Sequence, residues 1–191
     1  MNIKSLNSFK TFYGLILLAS AIYVGSFFFP YWVMHLKAPQ YPTGLHMQVY
    51  LDHVEGDVGE VNLLNHYIGM EKLESAAKLE REVAVLALGL LVLGGLIALG
   101  FYRKVHFFFY FPPILFLIGF IVDFSYWMYR FGHNLSHEAP VHIKPFTPQI
   151  LGIGKIGQFH THAMFGTGFW LGLLATCIYF IAIRMKQKLL K

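Results

Sequence analysis

Ten histidines and seven methionines give this 191-residue chain an unusual supply of nitrogen and thioether donors. Several of them recur at chelating distances. His133 and His137 are four apart, which on a helix sets both rings on one face. His160 and His162 flank Thr161, with Met164 two residues further on. His66 and Met70 are four apart, His46 adjoins Met47, and Met34 adjoins His35. Neutral imidazole binds copper, zinc, iron and nickel, whereas a thioether is soft enough to favour Cu(I). The single cysteine, Cys177, excludes both an internal disulfide and a cysteine-rich zinc site. No His-Glu-x-x-His occurs, so the metalloprotease signature is absent. The candidate metal centre is therefore His133, His137, His160 and His162, with His66 and Met70 next, and copper is favoured over zinc or iron. His53 and His142, among charged or strand-like neighbours, read as ordinary surface histidines, and His35 as an interfacial side chain near Trp32.

Asp123 is the other residue with chemical potential, because it is the one acid in an otherwise apolar run. A carboxylate at membrane depth is costly and normally faces a partner or a cavity. Arg130 lies seven residues on, two helical turns and roughly 10 Å along the axis, so an Asp123–Arg130 pair is one reading. The other sets Asp123 beneath the histidines, as a hydrogen-bond acceptor for a ligand ring or as a proton relay.

These residues must be positioned by a membrane protein. The chain is 56% hydrophobic and only 13% charged, against about 25% charged in an average soluble domain. Its apolar residues form four runs, 12–34, 83–102, 105–129 and 163–183, each near the ~20 residues a bilayer-crossing helix needs. The sequence thus predicts an all-α membrane protein of four transmembrane helices. The two long segments between them, 35–82 and 131–162, would form a small, partly extended extracytoplasmic cap. Within it, alternation from Leu45 to Leu51 predicts a short half-buried strand, and residues 60–67 a short helix closed by Gly69. Residues 71–82 predict a solvated helix with Glu74/Lys78 and Lys78/Glu82 pairs, and 141–146 a brief extended piece. Gly168, Gly172 and Thr176 form a small-residue stripe that lets helices approach closely.

Charge sets the orientation. With the N-terminus cytoplasmic, Lys4, Lys10, Arg103, Lys104, Arg184, Lys186, Lys188 and Lys191 face inward with no acidic residue among them. The other seven basic and all ten acidic residues lie on the far side or in the outer half of the third span. The net charge of +5 is accordingly a topology signal, nucleic acid is excluded as a partner, and the partner that remains is the lipid bilayer, with both termini cytoplasmic.

The stretch Gly56-Asp57-Val58 through Leu64-Asn65-His66-Tyr67-Ile68-Gly69-Met70, together with Lys144-Pro145-Phe146-Thr147-Pro148, resembles a small family of four-span bacterial inner-membrane proteins associated with the maturation of copper enzymes, nitrous-oxide reductase in particular. The resemblance implies an accessory role at the membrane and assigns no residue a function. Three functions follow as expectations: an accessory protein that binds copper and hands it to a partner metalloenzyme, a membrane metalloenzyme or redox subunit with Asp123 as proton relay, or a structural subunit of a membrane complex.

Overall fold

The computed structural model describes residues 3–100, 106–156 and 158–189. It replaces the all-α expectation with five helices and a five-stranded antiparallel sheet. The helices are α1 (Ile3–Ser26), α2 (Val58–Ile68), α3 (Lys78–Gly100), α4 (His106–His133) and α5 (Thr167–Leu189). The strands are β1 (Trp32–Ala38), β2 (Tyr41–Val49), β3 (Val54–Gly56), β4 (Gly152–Ile156) and β5 (Phe159–Phe165), in spatial order β3-β2-β1-β5-β4. Among the described residues three helices, not four, are long and apolar enough to cross a membrane, at Phe9–Ser26, Phe111–His133 and Thr167–Gln187. The first turns of α3 carry Lys78, Glu80, Arg81 and Glu82, which sets it apart from these three. The ends of two expected spans, at 101–102 and 105, and the basic residues Arg103, Lys104 and Lys191 lie outside the described residues.

Two of the expected spans were too long at the sheet side, for one physical reason. The apolar run 12–34 contains Pro30, and α1 stops at Ser26 while Trp32 already begins β1. At the other end Ala163, Met164 and Phe165 belong to β5, and α5 starts only at Thr167. A buried strand and the last turns of a membrane helix are both continuous apolar sequence, and periodicity cannot separate them. The strand expected from Leu45 to Leu51 is formed only as far as Val49, where β2 ends, and it begins earlier, at Tyr41. α2 ends at Gly69, whose φ of 80° is the left-handed conformation a helix stop requires. The helix expected over 71–82 is instead a 3₁₀ turn at Leu73–Ser75, a break at Ala77 (φ 52°), and then α3. Glu74 does not pair with Lys78 but accepts a hydrogen bond from Asn62 Nδ2 at 2.7 Å. Residues 141–146 form no strand; backbone bonds from Val141 N to Tyr67 O and from Phe146 N to Gly132 O, both 3.0 Å, tie this segment to α2 and the end of α4.

The helix pair α1/α5 continues directly into the strand pair β1/β5. Along the helices Phe12, Ile16 and Ala19 pack with Tyr179, Ala182 and Ile183. Beyond them Trp32 to Lys37 pair with Phe165 to His160. Tyr31, fully buried, sits at the corner. Its N–H donates to Val49 O at 2.8 Å and its carbonyl accepts from Gly166 N at 2.9 Å, while Pro30 O accepts from Gly168 N at 2.8 Å. Its hydroxyl stands 2.8 Å from Ser26 Oγ, which itself donates to Tyr23 O at 2.7 Å, so Tyr31 is the donor between the two. Burial pushes the Tyr31 hydroxyl up to about 12, which keeps it protonated in that role. The inner face of the sheet, with Trp32, Leu36, Leu45 and Met47, closes over Val61 of α2 and over Phe124, Trp127, Met128 and Phe131 of α4.

The small-residue stripe on α5 makes room for this corner. A methyl group at 168 would run into Phe29 O and the Tyr31 ring, whereas one at 172 would meet Leu117 at an easily accommodated 3.4 Å. Gly168→Ala should therefore destabilise the chain by about 1–3 kcal/mol, and Gly172→Ala by well under 1 kcal/mol. Thermal melting of the two purified variants in detergent checks this; equal melting temperatures would show that the corner is not tightly packed.

Candidate functional site

The pleat of the sheet separates the histidines from the methionines that adjoin them in sequence, because successive strand residues point to opposite faces. In β1, Met34 belongs to the inner set and His35 to the outer; in β2, His46 faces out and Met47 is buried; in β5, His160, His162 and Met164 are exposed while Thr161 and Ala163 are buried. Register then assembles the outer residues into rows. His46 pairs with His35 and His35 with His162, so three histidines from three strands lie side by side. One step along, Lys37, His160 and Lys155 form a second row. The His35 and His46 rings stack at 4.2 Å between centroids, nearly parallel at 5°. His35 Nε2 is 3.3 Å from Thr43 O, and because a carbonyl oxygen can only accept, this nitrogen is the donor. The His35 ring occupies the space a side chain at Gly44 would need, and Gly44 has a φ of 78°.

The residues singled out from sequence spacing are spread over different elements. His133 ends α4, where its ring stacks on Tyr129 at 3.9 Å and Nδ1 donates to Tyr129 O at 2.9 Å. His137 is exposed in the following loop, and its carbonyl is 3.2 Å from His142 Nε2. His66 is exposed on α2. His160 and His162 occupy the outer sheet face. Among the described residues no group of three or more His, Cys, Asp or Glu side chains stands ready to hold a metal ion.

A different donor set converges inside. Met34, Met47, Met70 and Met128 line one cavity of about 70 Å³ between the inner sheet face, α2 and α4. Met34 and Met47 are direct cross-strand partners, Met70 follows the Gly69 helix stop, and Met128 comes from α4. These are four of the chain's seven methionines. Asn65 and Thr161 line the same cavity, and among the described residues the buried Thr161 Oγ1 has no hydrogen-bond partner. Of these methionines spacing had picked out only Met70 as a ligand. The signal that would have found the others is the Met34-His35 and His46-Met47 inversion: in two paired strands it puts both thioethers on one face.

Asp123 and Arg130 do not pair. The Arg130 guanidinium is 3.7 Å from a Glu71 carboxylate oxygen and lies over the Trp127 ring, 4.9 Å from its centroid. Asp123 instead lines a second, larger cavity together with Glu80 and Arg81, and no histidine is among the residues that form it.

No protein-family model matches this chain, and no curated protein matches it.

His53 is held apart from any ligand role by carboxylates, with Asp52 Oδ1 at 2.6 Å from Nδ1 and Glu55 Oε1 at 3.2 Å from Nε2. Partial burial opposes its protonation, but the bonds to Asp52 and then Glu55 outweigh it and raise its pKa above the ordinary 6.5. The raised value means that the pair's contribution is fully present below 6.5 and is lost as pH rises through the folded-state pKa. With the ring 45% exposed, that contribution to stability is small. In an NMR titration His53 should titrate above 6.5 and Asp52→Asn should move it down; an unmoved midpoint would remove Asp52 as the cause.

Proposed function

We propose that this is an integral membrane accessory protein that binds copper on its extramembrane sheet domain and serves the assembly of a partner metalloenzyme. The observation that carries the reading is that four methionines from β1, β2, α4 and the turn after α2 line one cavity. Thioethers are soft, uncharged donors that select Cu(I) among biological metals. A neutral, largely apolar donor set also suits a monovalent ion, because desolvating a divalent one costs far more. Met34, Met47, Met70 and Met128 would hold the ion, with Thr161 Oγ1 as the available oxygen. The outer row of His35, His46 and His162 is the exposed counterpart, directly across the sheet. Directly opposed cross-strand residues have Cβ atoms about 4.5–5.5 Å apart, so two of these imidazoles reach a shared ion after ring rotation. Copper supplies redox and ligand-exchange chemistry when bound; the chain's part is to select the ion by donor softness and shield it under the sheet.

Antiparallel α1 and α5 put the start of α1 and the end of α5 on the side away from the sheet. The charge asymmetry supports that side as the cytoplasmic one, and the reading requires α3, which packs beside α1 and α4, to lead the chain back although it is not among the three helices apolar enough to cross on their own. The redox-subunit reading with Asp123 as relay has less support, since Asp123 lies in a cavity without histidines.

Elemental analysis of protein purified with copper, zinc and iron all present tests the proposal, followed by Cu(I) competition against a chromogenic chelator. Near-stoichiometric copper is expected. Because Met→Leu nearly conserves volume, a variant with leucine at 34, 47, 70 and 128 should keep the fold and lose Cu(I) affinity by about tenfold or more, each tenfold being about 1.4 kcal/mol. His35→Ala/His46→Ala/His162→Ala should lose a weaker, separate equivalent. Full copper retention by the leucine variant, or zinc or iron in place of copper, would overturn it.

A further inference from the structure

The larger cavity, about 490 Å³, lies between α3, α4 and the inner edge of the sheet. Its volume falls within the roughly 300–1,000 Å³ usual for small-molecule sites. Its walls are almost wholly apolar, with Phe116 and Phe120 of α4 on one side and Ala84 and Ala87 of α3 on the other. The rim is apolar as well. Leu79, Val83 and Leu115 belong to the lining yet remain 69%, 52% and 67% exposed. Leu115 sits on a helix long and apolar enough to cross a membrane, next to exposed Ile114 and Ile118. A mouth with such a rim opens toward lipid tails, and an empty apolar space of this size beside lipid fills from the membrane.

The polar groups restrict what fills it. Among the described residues the Trp127 indole N–H has no hydrogen-bond partner, although the residue is 91% buried and lines the cavity. A donor left unmade in such a place costs about 1–3 kcal/mol, so an oxygen acceptor on a ligand is the natural complement. Arg81 also lines the cavity, its Nη2 donating to Leu73 O at 2.8 Å, and a guanidinium carries five N–H donors in all. Glu80 and Asp123 are the two acids in the lining. Two carboxylates against one guanidinium disfavour a phosphate or a fatty-acid carboxylate, and they offer acceptors to a hydroxyl group.

We infer that this cavity binds a neutral membrane lipophile whose head carries oxygen acceptors and a hydroxyl, with its apolar part along Phe116, Gly119 and Phe120. Two sources share this chemistry, a monoacylglycerol and a quinol. The inference is independent of copper, and its test contains no metal.

Gly119 supplies the variant, because it lines the cavity and a Cβ built on it meets nothing within 4 Å, so Gly119→Leu narrows the cavity from a position with room for the first carbon of the side chain. Gly94 has equally open surroundings but lies outside the lining, and Gly94→Leu is the matched control. The full-length protein is purified in detergent and titrated with monoolein, decylubiquinol, oleate and phosphatidylglycerol, with bound mass read by native mass spectrometry. Saturable binding of monoolein or decylubiquinol is expected, at least tenfold weaker in Gly119→Leu, unchanged in Gly94→Leu and about fivefold weaker in Trp127→Phe, the loss of one neutral hydrogen bond. Whichever of the two binds identifies the source. Thermal melting of Gly119→Leu at the wild-type temperature shows that the fold is kept. If neither neutral lipophile binds, if the anionic lipids bind as well as they do, or if Gly119→Leu leaves binding intact, the inference is overturned.

Discussion

The packing of α1 against α5 fixes where β1 and β5 can start, and the rest of the sheet is built outward from that pair. Two antiparallel helices deliver two chain segments side by side at one end of the bundle, at the spacing a strand pair needs. Tyr31 makes the junction rigid: its backbone bonds reach Val49 and Gly166, and its hydroxyl reaches Ser26 at the last turn of α1. Gly168 is required because the aromatic ring and a carbonyl occupy the place of any side chain there. With the central pair anchored, β2 and β4 add as hairpin neighbours and β3 closes one edge.

That anchored sheet decides the chemistry available on each of its faces. Strand alternation turns His35, His46 and His162 to the outside in one row, and sends Met34 and Met47 inward, where α2 and α4 bring Met70 and Met128 to meet them. Nitrogen donors and soft sulfur donors that are mixed in sequence thus end on opposite sides of a single layer. α4 serves both sites of the interior. Its last turns cover the thioether cavity with Met128 and Phe131, and its middle lines the larger apolar cavity with Phe116, Gly119 and Asp123.

Several parts of this arrangement were legible in the residues themselves. The Leu45–Leu51 alternation marked β2, and Gly69 marked the end of α2, since each is a local signal whose physics acts within a few residues. The apolar run through Phe27, Phe28 and Phe29 to Met34 was not resolvable locally. Helix and buried strand have the same composition there, and the decision at Pro30 depends on β5 being present as a partner. The i, i+4 spacing of His133 and His137 and the His160-Thr161-His162 pattern suggested one centre, but chelating spacing within a segment carries no information about the distance between segments. Asp123 and Arg130 share a helix face two turns apart, yet Arg130 finds Glu71, which comes from a segment 59 residues away in sequence.

The sequence by itself determined that apolar residues gather into runs long enough to cross a membrane and that many of the basic residues cluster toward the two ends of the chain. Those properties follow from composition and local order, because transfer into lipid and the sidedness of charge depend on short segments acting alone. Only the tertiary structure decided which donors meet. Pairing β1 with both β2 and β5 joins residues up to 133 positions apart, as Trp32 with Phe165, and the period-2 pleat then assigns each side chain to a face. That is why the methionines, scattered through the sequence from 34 to 128, share a cavity, while the histidines that looked clustered lie apart.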